Sequence, residues 1–398
     1  MLHTASLDEI RAGKVTDVYF ERALVAIQAG GLDKNVAAEI TASSLPRDYD
    51  WAVLAGIEEA VAALEGLECD VDAVPEGTVF YPGEPVMRLS GMYSRFCVYE
   101  TCLLGFLCQA SGIATRAARI KLAAGSRTVV SFGARRMHPT IAPMIERNAY
   151  IGGCDGFAVV KTSDYVPLQA SGTMPHALVI CAGNLAAALE AFDAANPPDV
   201  PRIALIDTFQ DEKFAALIAA ETLGEKLAGV RFDTPSSRRG DFAALMREVR
   251  WELDAAGFEH VKILASGGLD EYNIPKLNEV ADGYGVGTAI SNAEVLNLAL
   301  DIIEVEGKGI AKRGKLSGRK APMRCERCRA HWVALEGRET ACPQCGGPGH
   351  SALQPLTRAG KLVAEMPSPE HIRESVLEQL RMLTAQPEQD HRAEADGS

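Results

Sequence analysis

Two glycine-bearing turns are the first candidates for chemistry, because each directly follows an apolar run: "SGG" at Ser266 to Gly268 and "GVGT" at Gly285 to Thr288. Small residues at the end of a strand let a phosphate reach backbone N–H groups and a helix N-terminus. The hydroxyls of Ser266 and Thr288 add further donors. The pattern predicts a phosphate-binding site formed by Ser266, Gly267, Gly268, Gly285, Val286, Gly287 and Thr288.

Two carboxylates, Asp207 and Asp233, end neighbouring apolar runs, "RIALID" and "GVRFD". Carboxylates beside a phosphate site hold Mg²⁺ or bind ribose hydroxyls, whereas bare carboxylates would repel the ligand. Capping of the next helix remains an alternative for Asp207. Guanidinium pairs suit a carboxylate or diphosphate bidentately. The cationic side of the pocket is predicted to come from Arg135, Arg136, His138, His176, Arg238 and Arg239.

The C-terminal part of the sequence carries two CxxC knuckles, "CERC" and "CPQC", separated by thirteen residues. Four thiolates at this spacing predict a closed, tetrahedral and structural Zn²⁺ site. His331 and His350 remain as replacement ligands. A redox or nucleic-acid role is a weaker alternative, because the segment between the knuckles has few basic residues. The predicted ligands are Cys325, Cys328, Cys342 and Cys345.

The elements that must position these residues follow a regular pattern from residue 200 onward. Short apolar runs that end in polar residues alternate with segments of helical spacing, which is typical of a parallel sheet or an α/β barrel. Asp270 is expected to cap the helix that precedes the last strand, "DGYGVGT". "RTVVSFGARRMHPT" and "GGCDGFAVVKTSD" add two upstream strands. All the predicted polar endings then share the C-terminal rim of the barrel, where barrel enzymes do their chemistry.

The predicted domain borders follow changes in composition. A turn-rich, alternating segment precedes the barrel, and a Cys-, Arg- and Gly-rich segment follows it. The predicted parts are an N-terminal α/β sandwich domain at 1–111, completed by later segments; a catalytic α/β barrel at 112–320; a zinc ribbon at 321–352; a segment with a terminal helix at 353–384; and a disordered tail at 385–398.

The bulk composition limits the classes of function. The chain has 398 residues, 47% of them hydrophobic, and a net charge of -13. That charge argues against a general nucleic-acid or membrane binder. The sequence has no uncharged apolar run of about 18 residues. We therefore expect a cytoplasmic protein.

With these residues in hand, the sequence resembles the nicotinate phosphoribosyltransferases, most of all an archaeal-type subgroup with a zinc ribbon. The resemblance runs from about Lys14 to about Gly347. It implies the irregular, TIM-like α/β barrel of type II phosphoribosyltransferases, with an N-terminal α/β sandwich and a small zinc ribbon. Its motifs, in order, are "TDVYF", "FGARRMHP", "SGTMPHAL", "LIDTFQDEKF", "VRFDTPSSRRGDF", "SGGLDE", "YGVGT" and "KRGKLSGRK".

The resemblance also implies roles for particular residues. Tyr19 would stack on the pyridine ring across a dimer interface, and Arg135, Arg136 and Thr173 would hold nicotinate. His176, which alone would read as a structural histidine, would be the residue phosphorylated by ATP. Arg135 with His176 and the two aspartates would form the catalytic set. Arg136, His138, Arg238 and Arg239 would contact diphosphate or ribose.

The implied enzyme is an ATP-coupled ligase and pentosyltransferase that forms nicotinate mononucleotide from nicotinate and phosphoribosyl pyrophosphate for NAD salvage. It would use Mg²⁺ and ATP and act as a homodimer or higher oligomer with shared active sites, without nucleic acid or membrane partners. Two alternatives stay open. One is a quinolinate phosphoribosyltransferase, and the other is an inactive barrel whose zinc ribbon makes it a binding module.

Overall fold

The computed structural model describes residues 2–338 and 340–385. Beyond Ala385, the tail predicted to be disordered lies outside the described residues. The strands are β1 (Asn35–Ala42), β2 (Ala52–Val53), β3 (Asp70–Ala73), β4 (Val79–Phe80), β5 (Pro85–Met92), β6 (Thr128–Ser131), β7 (Gly156–Phe157), β8 (Arg202–Leu205), β9 (Leu227–Phe232), β10 (Lys262–Ser266), β11 (Gly283–Val286), β12 (Leu298–Val305), β13 (Lys308–Gly309), β14 (Lys320–Cys325), β15 (His331–Leu335), β16 (Gly349–Ser351), β17 (Gln354–Arg358) and β18 (Lys361–Leu362).

The helices complete the set of elements. The α-helices are α1 (Leu7–Arg11), α2 (Val18–Gly30), α3 (Ile57–Leu64), α4 (Tyr93–Phe96), α5 (Glu100–Ala124), α6 (Ala142–Ile151), α7 (His176–Ala182), α8 (Leu185–Ala195), α9 (Glu212–Leu223), α10 (Ser236–Arg239), α11 (Phe242–Ala255), α12 (Thr288–Ser291) and α13 (Pro369–Ala385). Short 3₁₀ helices are Pro46–Asp48, Cys97–Tyr99, Ala134–Arg136, Pro139–Ile141, Val160–Asp164, Gly224–Lys226 and Ile274–Lys276.

The chain divides into two compact units. The first unit combines the described residues up to Thr115 with those from Glu294 onward, and the second is Arg116–Ala293. The C-terminal border therefore falls before β12, rather than at residue 320 where the sequence analysis placed the end of the barrel. The reason is that β12 pairs antiparallel along the whole of β1, from Val36↔Val305 to Ala42↔Leu298. Residues 294–320 thus complete the N-terminal domain.

The first unit is built on a seven-stranded sheet in the order β13-β12-β1-β5-β3-β17-β18. Alternate side chains of β1, such as Ala38 and Ile40, enter a core that also contains side chains of α3 and α5. The terminal helix α13 is present as predicted. Its Gln379 side chain accepts the N–H of Val79 at 2.8 Å and donates to Gly77 O at 2.9 Å.

The opposite face of the same sheet carries buried charge. Glu39, Arg88 and Asp72 lie side by side on β1, β5 and β3. A three-stranded ribbon sheet, β15-β14-β16, supplies partners for them. Lys320 Nζ lies 2.8 Å from Glu39 Oε2, and Arg88 Nη2 lies 2.7 Å from Glu336 Oε1. Because a buried charge is costly without a partner, these ion pairs fix where the ribbon docks.

Within the described residues, the helical stretch Tyr93–Ala124 has the length and composition to cross a membrane, and the pair α7–α8, bent by 109°, passes the same test only if it is counted as one span. Of the most apolar window of Tyr93–Ala124, 56% is buried inside the protein. Tyr99, Leu103 and Leu107 belong to the core of the first unit. Core helices pass the same length and composition test, so this stretch is weak evidence for a membrane span.

The second unit contains six parallel strands in the order β7-β6-β11-β10-β9-β8. This curled parallel sheet is a half-barrel, and it confirms the predicted α/β class. On one face, Val230, Phe232 and Ile263 are fully buried. Alternation along the strands puts Arg231 and its neighbour Leu264 on the other face. The prediction of an α-helix before the last strand is wrong: the structure has only the 3₁₀ helix Ile274–Lys276 there, and Asp270 accepts the N–H groups of Tyr272 and Asn273 just before it.

A substitution at Gly77 tests the packing of α13 within the first unit. Gly77 has φ +84°, and a Cβ there would lie 2.7 Å from Ile372 Cγ2. Gly77→Ala is expected to lower the free energy of unfolding by about 2 kcal/mol, from backbone strain plus displacement of α13. Gly66→Ala is the matched control, because Gly66 has the same φ with nothing within 4 Å. Equal losses for the two variants in urea unfolding would contradict the expected clash with α13.

Candidate active site

Five chain segments meet at one edge of the half-barrel. Asp207 lies two residues after β8, Asp233 follows β9, and Phe132 follows β6. The "SGG" turn begins at the last residue of β10, and "GVGT" covers the last two residues of β11 and the two that follow. The strands are parallel neighbours in the sheet, so their C-terminal ends share one rim. The predicted grouping of these residues at the rim is therefore observed, whereas their roles in binding stay predictions.

His176 and Asp207 form a pair at this rim. His176 Nε2 lies 3.0 Å from Asp207 Oδ1. His176 begins α7, and its side chain is 38% exposed, whereas that of Asp207 is 4% exposed. Burial raises the pKa of Asp207, and His176 opposes that rise. The nearby charge of Asp233 raises the pKa of Asp207 further. The capping role that was open for Asp207 falls to Asp211, whose carboxylate accepts the N–H of Lys213.

Arg231 is the functional candidate that the sequence analysis missed. Its Nη1 donates to the hydroxyl of Thr173, and its Nη2 lies 3.9 Å from Asp233 Oδ2. The guanidinium carbon lies 5.9 Å from the centre of the Phe132 ring. Burial lowers the pKa of Arg231, as does nearby Arg135, and the two aspartates oppose that shift.

A signal for Arg231 was present in "GVRFD". A strand presents residues two apart on the same face, so Arg231 and Asp233 share a face. A charged residue within a buried strand is costly unless it has partners or a function. Arg231 was missed because the run "GVRFD" was treated as apolar throughout.

The glycines of "GVGT" have a role in packing. A Cβ at Gly285 would lie 2.3 Å from the Phe132 ring, and a Cβ at Gly133 would lie 2.3 Å from Gly287 O. Gly285 therefore makes room for Phe132 beneath Arg231. Val286 is buried, and its carbonyl accepts the N–H of Phe132 at 2.8 Å. Gly287 and exposed Thr288, at the start of α12, are the members of this turn that remain suited to phosphate.

The hydroxyl of the "SGG" turn has partners within the protein. The Ser266 hydroxyl is buried and lies 2.8 Å from Asp233 Oδ1 and 2.9 Å from Phe232 O, so it helps to orient that carboxylate. Arg239 Nη2 donates to Gly267 O at 2.9 Å and thereby holds the turn from outside. Gly267 and Gly268 both have positive φ, at +87° and +66°. That conformation is the usual reason for glycine in a tight turn.

The remaining predicted cations differ in their surroundings. Arg135, Arg136 and Arg238 are exposed. His138 Nδ1 accepts the N–H of Thr140 and so caps a local 3₁₀ turn. Tyr19 lies in the other unit, on α2, where its side chain is 57% exposed.

The four C-terminal cysteines form one group, whose sulfur atoms all lie within 4.8 Å of one another. The sulfurs of Cys325 and Cys345 are 3.5 Å apart, as are those of Cys328 and Cys342. A tetrahedral zinc thiolate site with bonds of about 2.3 Å places its sulfurs about 3.8 Å apart, so the group fits Zn²⁺. The backbone N–H of Cys328 lowers the pKa of Cys325 to about 6.

Neither spare histidine belongs to the cysteine group. His331 Nδ1 lies 3.3 Å from Glu84, and His350 Nδ1 lies 3.8 Å from Glu326. The described residues therefore offer a Cys₄ site.

Comparison with known proteins agrees with this geometry. Residues 17–111 match the N-terminal domain of quinolinate phosphoribosyl transferase, and residues 113–301 match its C-terminal domain. A solved structure titled nicotinate-nucleotide pyrophosphorylase from Pyrococcus furiosus is 50% identical, with a TM-score of 0.94 over 96% of this chain and 98% of that one. The human nicotinic acid phosphoribosyltransferase structure shares the fold at 20% identity, with a TM-score of 0.72, over 92% of this chain and 94% of that one.

A nicotinate phosphoribosyltransferase of Mycobacterium tuberculosis is 29% identical over 89% of this chain and 87% of its own length. The two domain matches and the half-barrel thus define a phosphoribosyltransferase. Within that class, the chain belongs to the nicotinate phosphoribosyltransferase family.

The ionised Asp207 carboxylate is expected to lower the stability of the folded protein while being needed for activity. Because burial raises its pKa, ionising Asp207 is costlier in the folded state, and stability falls as pH rises from the ordinary aspartate pKa through the raised one. Asp207→Asn should therefore raise the melting temperature at pH 7 while abolishing turnover, and the gain should vanish in strong acid. Asp233→Asn should lower the melting temperature, because it removes the negative charge beside Arg231 and leaves Ser266 a weaker acceptor. A lower melting temperature for Asp207→Asn at pH 7 would contradict this account.

The cysteine group is expected to hold about one zinc per chain. Cys342→Ser should reduce the bound zinc at least several-fold and lower the melting temperature, because a structural site contributes to folding. Metal content after gel filtration measures the first effect. Cys181→Ser is the control, since Cys181 is exposed and free. Zinc content unchanged in Cys342→Ser would contradict the assignment of the ligands.

Proposed function

We propose that this protein forms nicotinate mononucleotide and diphosphate from nicotinate and phosphoribosyl pyrophosphate, on the salvage route to NAD. The observation that carries the proposal is the cluster of Arg231, Thr173 and Phe132, because it joins a half-buried guanidinium to an aromatic face beside two phosphate-suited turns. A guanidinium with an adjacent hydroxyl suits the carboxylate of a flat pyridine acid. Arg135, which lies close enough to lower the pKa of Arg231, adds positive charge at the same place.

The two turns are proposed to bind the 5-phosphate of phosphoribosyl pyrophosphate. Backbone N–H groups of Gly267, Gly268, Gly287 and Thr288 would donate to it, with α12 too short to add a strong dipole. Asp207 and Asp233 would then face the ribose hydroxyls. Mg²⁺, bound near these carboxylates, would neutralise the diphosphate charge. Arg136, His138, Arg238 and Arg239 are proposed on the diphosphate side, with Arg239 also holding the Gly267 carbonyl.

The chemistry needs positioning more than proton transfer. The pyridine nitrogen carries its own lone pair, so it can attack the ribose carbon as diphosphate leaves, without a general base. The carboxylates beside the ribose would stabilise the oxocarbenium-like charge at the transition state. Holding the ring by its carboxylate supplies the orientation.

ATP hydrolysis is proposed to assist through His176. Asp207 lies at the Nε2 atom of His176, which favours the tautomer with the proton on Nε2. The Nδ1 lone pair is then the nucleophile toward the terminal phosphorus of ATP. Asp207 would stabilise the positive charge that develops on the ring as ADP leaves.

A dimer or higher oligomer in the cytoplasm completes the proposal. Tyr19 is proposed to stack on the pyridine ring in the neighbouring subunit's site, which agrees with its exposure on α2. A quinolinate phosphoribosyltransferase is the second candidate, favoured by the names of the two matching domains. It would need a second cation for its extra carboxylate, and Arg135 stands near Arg231 for that role. A binding module without activity would instead fail to bind phosphoribosyl pyrophosphate.

Turnover of nicotinate, nicotinamide and quinolinate, each with and without ATP, tests the proposal. We expect turnover with nicotinate, stimulated by ATP. Arg231→Lys should raise the KM for nicotinate by about 10- to 100-fold, because lysine cannot bind the carboxylate bidentately. Arg247→Lys is the control, since Arg247 is exposed and pairs with Glu279 on the helical side.

Three outcomes would overturn parts of this proposal. Turnover with quinolinate alone would replace the substrate. No change in melting temperature with phosphoribosyl pyrophosphate and Mg²⁺ would favour the binding module. An unchanged KM for nicotinate in Arg231→Lys would remove Arg231 from the pocket.

A further inference from the structure

We propose that Glu146, a buried carboxylate on α6, is a positioning residue that sets the nicotinate side of the active site without touching substrate. The inference rests on the proposed function. It concerns the segment 158–175, which connects β7 to α7 and carries Thr173 just before His176.

Glu146 is fully buried, and its carboxylate accepts hydrogen bonds from the backbone of this segment. Oε1 accepts the N–H of Ala158 at 3.2 Å, and Oε2 accepts the N–H of Val159 at 2.7 Å. The hydroxyl of Thr162, which is also fully buried, lies 3.2 Å from Oε2. Among the described residues, no basic side chain forms an ion pair with Glu146. Burial raises the pKa of Glu146, and the two N–H groups and the hydroxyl act against that rise.

We call the contacts of Glu146 with Ala158, Val159 and Thr162 the Glu146 clamp. The clamp lies where the chain has few other contacts to direct it. Ala158 and Val159 directly follow β7, a two-residue strand at the edge of the sheet, so few strand hydrogen bonds direct the chain there. The far end of the segment returns to the same strand, where Ser171 N donates to Phe157 O at 2.7 Å. Glu146 and this hydrogen bond thus hold the two ends of one loop at adjacent residues.

The loop's end leads directly into the site. Thr173 meets Arg231 two residues after Ser171, and His176 meets Asp207 five residues after it. α6 is a firm base for the clamp, because Ile145 and Ala149 on either side of Glu146 are fully buried. Loosening the clamp should therefore move Thr173 relative to Arg231.

The phosphate-suited turns do not depend on this loop. They follow β10 and β11, and Arg239 and Phe132 hold them from other segments. A positioning role therefore predicts a selective effect, on the pyridine substrate and not on phosphoribosyl pyrophosphate. A merely structural role predicts a loss of active protein that affects both substrates alike.

Steady-state kinetics of the full-length protein separates these cases. Glu146→Ala should raise the KM for nicotinate by about tenfold or more, because a displacement of an ångström in a binding group has effects of that order. The KM for phosphoribosyl pyrophosphate should stay within about twofold. Glu146→Gln, which keeps one acceptor oxygen, should recover part of the loss. Thr162→Val removes a single donor and should give a smaller shift in the same direction if Glu146→Ala does not fold.

Asp193→Asn is the matched structural control. Asp193 Oδ1 accepts from the buried Arg202 at 2.7 Å, at the start of β8 on the far edge of the sheet. This variant should lower the melting temperature without changing either KM. A rise in both KM values together in the Glu146 variants, or a fall in kcat alone that follows the folded fraction, would overturn the positioning role. If the wild type uses quinolinate instead, the proposed function fails, and the same KM comparison with quinolinate still decides the role of Glu146.

Discussion

The half-buried guanidinium of Arg231 is the constraint around which the second unit is arranged. A guanidinium taken out of water needs partners, and three segments supply them: Asp233 continues the same strand, Thr173 comes from the loop after β7, and Phe132 follows β6. Each partner then imposes a further requirement. Phe132 fits only because Gly285 has no Cβ, and Asp233 is oriented by the Ser266 hydroxyl. The glycines and hydroxyls that look like a phosphate motif in the sequence thus also serve the cation next to it.

How much the sequence predicted depends on the range of the physical signal. Runs that end in Asp207, Asp233, "SGG" and "GVGT" predict parallel strands with a shared rim, because the C-terminal ends of parallel strands must meet. The cysteine spacing predicts a metal site in the same local way. Long-range pairing leaves no such mark, so β12 was assigned to the barrel although it pairs with β1. The contact of the Ser266 hydroxyl with Asp233 was also not predicted, because the two residues are 33 positions apart in the sequence.

Arg231 and Glu146 were the hardest residues to find from the sequence. Arg231 was hidden in an apolar run, although the two-residue spacing to Asp233 marked it. Glu146 gave no signal, since a glutamate within a helix is ordinary and its partners, two backbone N–H groups and the Thr162 hydroxyl, are 12 to 16 residues away. The helix expected after Asp270 failed because that aspartate caps a turn just as well. Sequence motifs therefore predict which types of side chain lie in the site. Tertiary contacts determine which of those side chains are available to bind a ligand.

The pairing of β12 with β1 has a consequence for how the chain is made. One edge of β1 binds β5, which follows within the first unit, but the other edge waits for Leu298–Val305. During synthesis the whole half-barrel must emerge before that edge is covered. An uncovered strand edge is a template for pairing with other chains. Until residues 298–305 emerge, the free edge of β1 can pair with other chains, so this interval of synthesis is when the nascent chain is most exposed to aggregation.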